Sequence, residues 1–288
     1  MSRPRRIVFQ GEPGANSHIA CRSVYPDHEA VPCATFEDAF QAMEEGQAAF
    51  GMIPIENSVA GRVADIHHLL PSSGLHIVGE YFQPIHHALV VPKGASFDTI
   101  KSVQSHPQAL GQCRRYLHDH RLLPVVGADT AGSARQIAEA HDPERAAISS
   151  ELAAEIYGLD VLATNIEDEQ HNTTRFIVLA KDKAWAARGL GPVITSFLFR
   201  VRNVPAALYK AMGGFATNGV NMTKLESYQI DGEFFATQFY ADIEGHPEDP
   251  GVIHAFEELQ FFTREFRIVG VYRADPFRAE VAAKRSAS

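Results

Sequence analysis

At 288 residues the chain is long enough for two compact domains of ordinary size or one large one. Hydrophobic residues make up 45% and charged residues 21%, which is folded-protein usage and lies outside the low-hydrophobicity, high-charge regime of disordered chains. A formal charge of -9, with no Lys/Arg-rich run interleaved with aromatics, argues against a nucleic-acid partner, and no stretch approaches the ~20 apolar residues of a membrane span. The start, Met1 to Arg6, is basic, but Ile7 to Gln10 is too short for the apolar region of a signal peptide, so an unexported, cytoplasmic protein is expected. Cys21, Cys33 and Cys113, odd in number and widely spaced, suit reduced thiols rather than disulfides or a zinc site.

Short apolar runs alternate with helical patterns through the first half. Ile7 to Phe9 reads as a strand, Ala15 to Tyr25 and Thr35 to Glu45 as helices, and Ala48 to Ile53 as a strand. A second set opens with a strand at Ile85 to Val91. It continues through strand Ser102 to Gln104, helix Pro107 to His118, strand Pro124 to Gly127, helix Ala131 to Ala140 and strand Ala146 to Ile148. Phe176 to Ala180 is the last strand of this half. Two small α/β lobes are expected, with a cleft for a small molecule beyond the strand ends. Gly189, Gly191 and Pro192 mark a linker over residues 184–192. Beyond it come strand Ile194 to Val201, helix Pro205 to Asn218, strands Asn221 to Ile230 and Phe234 to Ile243, helix Val252 to Leu259 and strand Phe266 to Tyr272. This βαββαβ order is a ferredoxin-like layout, with Asp231 and Gly232 as a hairpin turn. The expected domains are residues 1–183 and 193–275, followed by a loose tail over 276–288.

Four motifs carry a resemblance. The Gly-rich loop Gly11, Glu12, Pro13, Gly14, Ala15, Asn16, Ser17, the run Pro54, Ile55, Glu56, Asn57, Ser58, the run Ser105, His106, Pro107, Gln108 and the run Thr174, Arg175, Phe176 together resemble the prephenate dehydratase family. The C-terminal βαββαβ part is similar to the amino-acid-sensing ACT domain attached to many of its members. The resemblance implies a two-lobed, periplasmic-binding-protein-like catalytic domain. It also implies a reaction without metal or cofactor, in which prephenate loses its ring hydroxyl as water and its ring carboxylate as CO2 to give phenylpyruvate.

By this resemblance Thr174 meets the leaving hydroxyl, and because a Thr hydroxyl is a weak acid it serves better as a hydrogen-bond donor than as a free acid. Glu56 is the candidate acid, since a carboxyl enclosed between lobes can have its pKa raised; a carboxylate held by backbone amides is the equally open alternative. Asn57 and Ser58 offer neutral hydrogen bonds beside it. Arg175, next to Thr174 on a strand, points the opposite way if the strand alternates, so it either binds a carboxylate or braces the wall. Asn16 and Ser17 follow a Gly-rich turn at a helix start, where unpaired N–H groups attract anions. Ser105 and Gln112 are implied substrate contacts, with a plain N-cap as the alternative for Ser105. Thr130 sits at another helix start and is either a contact or a cap. His67, His68, His86 and His87 lack partners at metal-ligand spacing and read as structural.

The ACT resemblance implies that L-phenylalanine binds near Asn203, Ala207, Leu208, Asn218, Glu226 and Ser227 between paired domains of a homodimer or homotetramer and lowers activity. The family's Gly-Ala-Leu here reads Ala206, Ala207, Leu208, and its Glu-Ser-Arg-Pro reads Glu226, Ser227, Tyr228, Gln229. A domain kept only for dimerisation is therefore a live alternative. Two further readings remain open: an arogenate dehydratase, and a non-enzymatic amino-acid-binding sensor.

Overall fold

A computed structural model describes residues 5–169, 171–202, 204–229 and 238–286. In chain order its elements begin β1 (Arg6–Gln10), α1 (Asn16–Val24), β2 (Glu29–Cys33), α2 (Phe36–Glu44), β3 (Phe50–Asn57), β4 (Gly61–Arg62), α3 (Ala64–Ser72), β5 (His76–Pro84) and β6 (Ala88–Val91). They continue β7 (Ser102–Ser105), α4 (Pro107–Gln112), α5 (Arg114–Asp119), β8 (Leu123–Val126), α6 (Thr130–Ala140), β9 (Arg145–Ser149), α7 (Glu151–Tyr157), β10 (Asp160–Ala163) and β11 (Thr173–Ala180). The last set is β12 (Val193–Val201), α8 (Ala207–Thr217), β13 (Met222–Tyr228), β14 (Gln238–Glu244), α9 (Pro250–Phe262), β15 (Thr263–Arg273) and α10 (Pro276–Ser286). The chain divides into two compact units, one of residues up to Val63 with Phe82–Phe176, the other of Ala64–Tyr81 with Ile177 onward.

The first unit holds two sheets. In one, β1 pairs in parallel with β2 and β3, β4 folds back antiparallel on β3, and the first half of β11 lies beyond β3. Thr35 starts α2 with a reciprocal capping box to Asp38, the pattern that a helix opening on Thr-x-x-Asp invites. The other sheet runs β10-β6-β9-β7-β8. Its β6 is buried throughout because helices cover both faces: Leu89 and Val91 face Leu110 and Leu117 of α4 and α5, while Ala88 and Val90 face Ile137 and Ala154 of α6 and α7. The Gly-rich loop docks onto α7. Gly14 has φ +92°, and a Cβ there would lie 2.6 Å from the Ala153 Cα, so both the backbone conformation and the close approach demand glycine. Ser150 Oγ donates to the Gly14 carbonyl, and Tyr157 donates to that of Pro13 at 3.0 Å.

In the second unit β12 to β15 form an antiparallel sheet in the order β13-β14-β12-β15, the ferredoxin-like arrangement expected from the βαββαβ pattern. One face carries α8 and α9 over a phenylalanine-rich core that includes Phe197, Phe215 and Phe256. On the other face Ser196 donates to buried Asp242, and α3 brings His67 within 5.6 Å of the Tyr240 ring. Arg267 donates to the carbonyls of Leu70, Pro71 and Ser73, satisfying the end of α3. Beside β15, β5 runs parallel with Gly270 opposite Ile77, whose Cβ a methyl on Gly270 would meet at 2.6 Å.

Several sequence expectations need correction. Residues expected as a loose tail form α10, held by a bidentate pair from Arg278 to the buried carboxylate of Glu80. The single helix expected over Pro107 to His118 is two, α4 and α5, divided at Cys113. The elements β2, α3, β5, α7 and β10 have no counterpart in the sequence reading. Residues 184–192 lie within the second unit, where Ala186 N donates to the Val271 carbonyl. The expected turn at Asp231 and Gly232 lies outside the described residues. Among the described residues no helix is long and apolar enough to cross a membrane.

Candidate active site

The first unit encloses a cavity of about 490 Å³, within the usual range for a small-molecule site. Its walls come from the starts of α1 and α6, the end of β3 with the β3–β4 turn, α4, and the entry into β11. Of the sequence candidates, Asn16, Ser17, Asn57, Gln112, Thr130 and Thr174 line it.

Its centre is a chain of side-chain hydrogen bonds with a fixed sense. The Asn57 carboxamide oxygen accepts from the backbone N–H of Val59 at 3.0 Å and of Ala60 at 2.8 Å. Its nitrogen must therefore face the other way, and it donates to Thr174 Oγ1 at 2.9 Å and to Asn172 Oδ1 at 2.8 Å. With Asn172 Oδ1 so engaged, Asn172 Nδ2 donates to Gln112 Oε1 at 3.1 Å. Gln112 Oε1 also meets His87 Nε2 at 2.8 Å, and since that oxygen only accepts, the imidazole must be the Nε2–H tautomer. Thr174 thus has a lone pair occupied and its own O–H left to donate.

The electrostatics suit an anion. Asn16 and Thr130 are the first residues of α1 and α6, so two helix N-termini meet the cavity, and Arg62 of the β3–β4 hairpin adds a full positive charge. Asp129 also lines it, but its carboxylate caps α6 by accepting from Gly132 N at 2.6 Å. Burial, with the Gln112 contact and the Glu167 charge opposing it, holds the His87 imidazole below its ordinary pKa, so the ring is neutral.

Four expected site residues lie elsewhere. Glu56 and Arg175 do not line the cavity; Arg175, only 2% exposed, donates to Glu56 Oε1 at 2.9 Å, and its guanidinium stands 5.9 Å from the Phe82 ring. Consecutive strand residues point to opposite faces, so Asn57 and Thr174 face the cavity while their neighbours brace its back. Ser58 is spent tying the strands together: its hydroxyl donates to the His171 carbonyl and accepts from Thr173 N, both at 2.9 Å. Ser105 is fully buried and donates to the Ile148 carbonyl at 2.7 Å, and the N-cap of α4 is His106. Sequence reasoning missed Arg62, Asn172 as a link, and His87, dismissed as structural although it lies directly before a strand and faces the cavity. Among the described residues no cluster of His, Cys, Asp or Glu is placed to hold a metal.

In the second unit the residues expected to hold phenylalanine are dispersed within one chain. Ala207 and Leu208 open α8, while Asn218 closes it, roughly 16 Å away along an 11-residue helix, and donates to Glu258 at 3.0 Å. Glu226 on β13 accepts from Lys224 at 3.2 Å, with Ser227 following it on the strand, and Asn203 lies outside the described residues. A larger cavity, about 850 Å³, lies between Gly189–Ile194, the loop after β14, and α10; it contains none of the residues expected to act on substrate or to bind phenylalanine.

The family profile described as prephenate dehydratase matches residues 7–184. A bifunctional N-acyl-homoserine lactone acylase/prephenate dehydratase from Komagataeibacter europaeus is 48% identical over 278 residues, covering 96% of this chain and 99% of that protein. An arogenate dehydratase/prephenate dehydratase of Arabidopsis thaliana is 39% identical over 287 residues, covering 95% of this chain and 73% of the plant protein. The solved prephenate dehydratase of Arthrobacter aurescens, in complex with L-Phe, is 30% identical with a TM-score of 0.86, covering 93% of this chain and 90% of that one.

Proposed function

The chain belongs to the prephenate dehydratase family, and we propose that its first-unit cavity converts prephenate into phenylpyruvate, water and CO2. The observation that carries this reading is the Thr174 hydroxyl, whose lone pair accepts from an Asn57 amide of fixed orientation, so that its proton is available to a leaving oxygen. As the ring carboxylate departs, the electrons of its C–C bond move into the ring and the C–O bond to the hydroxyl breaks. Thr174 donates a hydrogen bond to the oxygen as negative charge grows on it, which lowers the barrier because the donor is already oriented, and the departing hydroxide becomes water by taking a proton from solvent. The side-chain carboxylate remains anchored by Arg62 and the N-terminal ends of α1 and α6. Glu56, paired with Arg175 and absent from the cavity lining, holds the back of the wall in this scheme.

Asp129, the carboxylate that lines the cavity among the described residues, spends only Oδ1 on capping α6, so kcat/KM measured for prephenate and for arogenate decides which of the two the cavity takes. The acylase activity named for the Komagataeibacter relative stays with that protein. We assign residues 1–183 to catalysis and 193–275 to an ACT domain. L-phenylalanine acts as an inhibitor bound between paired copies in a homodimer or homotetramer. The dispersal of Ala207 and Asn218 to opposite ends of α8 supports a site completed by a second copy, as do the exposed Tyr209 and Phe261. A cytoplasmic location accompanies this reading and agrees with three free cysteines.

The test is turnover of prephenate, read as phenylpyruvate, by wild type, Thr174→Ser and Thr174→Val. Removal of one oriented donor should lower kcat by about 10²–10³-fold in the Val variant, with most activity kept by Ser. Full activity in Thr174→Val would sink the role of Thr174, and no turnover by folded wild type would sink the enzyme reading.

A further inference from the structure

The hydrogen-bond chain at the cavity ends on a residue for which the reaction itself has no use. His87 is 4% exposed, its backbone N–H donates to Glu167 Oε2 at 2.9 Å, and its carbonyl accepts from Ile166 N at 3.1 Å. The imidazole is thus held from both sides of its own backbone, directly before β6, whose residues are all buried. Its Nε2 lies 2.8 Å from Gln112 Oε1, which already accepts from Asn172. With two donors on the oxygen, Gln112 Nε2 is turned away from both, and among the described residues it has no partner.

We propose that His87 is a positioning residue: its Nε2–H fixes the Gln112 carboxamide with the NH2 group presented to the substrate. An amide can be turned over at little cost when only one neighbour distinguishes its ends, so a single donor from Asn172 leaves Gln112 able to swap oxygen for nitrogen. A second donor on the same oxygen removes that freedom. A flipped Gln112 would present an acceptor to an anionic substrate and repel it, so the sense of one buried tautomer sets the polarity of the cavity wall. The neutral ring suits the task, since burial disfavours an extra charge that the amide oxygen does not require. The chain of fixed senses starts at the backbone N–H groups of Val59 and Ala60 and ends at His87, so the two strand-and-turn segments bearing Asn57 and His87 lock the amides between them.

This proposal rests on the dehydratase reading, and its test separates the two. Steady-state kinetics with prephenate are compared for wild type, His87→Leu, His87→Gln, Gln112→Ala and the double variant His87→Leu/Gln112→Ala. Loss of orientation in a binding wall costs roughly 10²-fold, so kcat/KM should fall by about that factor in His87→Leu. His87→Gln, whose own amide N–H reaches the same oxygen, should recover to within about 10-fold of wild type. In the Gln112→Ala background, His87→Leu should cost no more than about twofold, because the partner through which it acts is already gone. An equal loss in both backgrounds, or full activity in His87→Leu, overturns the proposal. Should the Leu variant fail to fold, ¹H–¹⁵N correlation of the wild-type imidazole still decides the geometry: a neutral ring protonated at Nε2 supports it, and one protonated at Nδ1 overturns it. No turnover by wild type, with the Nε2–H ring present, would count against the dehydratase reading alone.

Discussion

Thr174 can donate toward a substrate because Asn57 has already filled its acceptor site, and Asn57 can do so because two backbone N–H groups fix its amide. At the same scale, Arg62 should govern binding more than turnover. A hydrogen bond to a charged group contributes about 1.5–3 kcal/mol, so Arg62→Ala should raise KM for prephenate by roughly 10–100-fold with a smaller change in kcat, and Arg62→Lys should fall between. Unchanged KM would remove Arg62 from the anchor role. The buried imidazole of His87 adds a pH effect. Its folded pKa lies below the ordinary 6.5, so as pH falls the unfolded chain takes up the proton first. Its contribution is constant above about pH 6.5 and is lost progressively below it. Tm should therefore drop less between about pH 7.5 and 5.5 in His87→Gln than in the parent, and equal slopes in a pH series of melts would contradict this. Thr174, Asn57 and Gln112, picked out by specific runs in the sequence, come together on the wall of one cavity. Strand alternation also separated Arg175 from Thr174. Glu56 and Ser105 lie off the cavity because a motif gives neighbours in sequence, while the cavity wall takes only those on one face. Arg62 and His87 were illegible, since only folding brings a hairpin and a strand entry to the same wall.

At the scale of elements, the long periodic segments were legible and the short or interrupted ones were not. The helix α3 contains Pro71 and hides behind a His pair, β2 contains Pro32, and α10 has a mixed polar pattern that tells little by itself. What makes α10 a helix of this fold is tertiary: Arg278 reaches Glu80, whose side chain is fully buried. Removing one partner of a buried pair leaves the other charge stranded, so Arg278→Ala should destabilise the protein by about 3 kcal/mol in denaturant unfolding, and a loss below ~1 kcal/mol would show the helix to be incidental. The start of α8 holds the opposite case. Ala206 has φ +59°, a left-handed conformation that the glycine of the family motif adopts freely and a Cβ resists. Ala206→Gly should stabilise by about 1 kcal/mol, and a destabilised variant would mean that the backbone there is not strained.

For the molecule as a whole, the sequence reading captured two α/β lobes and a ferredoxin-like part but not the way the chain is shared between the compact units. Residues Ala64–Tyr81 belong with the C-terminal strands although they are flanked on both sides by the first unit. Periodicity cannot reveal this, because the apolar face of α3 looks the same whichever sheet it meets. Inhibition by L-phenylalanine, titrated on the full chain, should lower prephenate turnover with a matching binding isotherm; no binding would leave the second unit with assembly as its role. The interleaving also bears on how the protein is made. A ribosome releases Ile66, Leu70 and Ile77 well before Tyr228, Tyr240 and Gly270, which pack around α3 and β5, have been translated. At ~5–20 residues per second that interval is roughly 10–40 s. The nascent chain spends it with a greasy helix and a strand edge in search of partners, a natural client for holdase chaperones. A polypeptide stopped at Lys183 would remain in that condition permanently, and its yield of monomer should be poor.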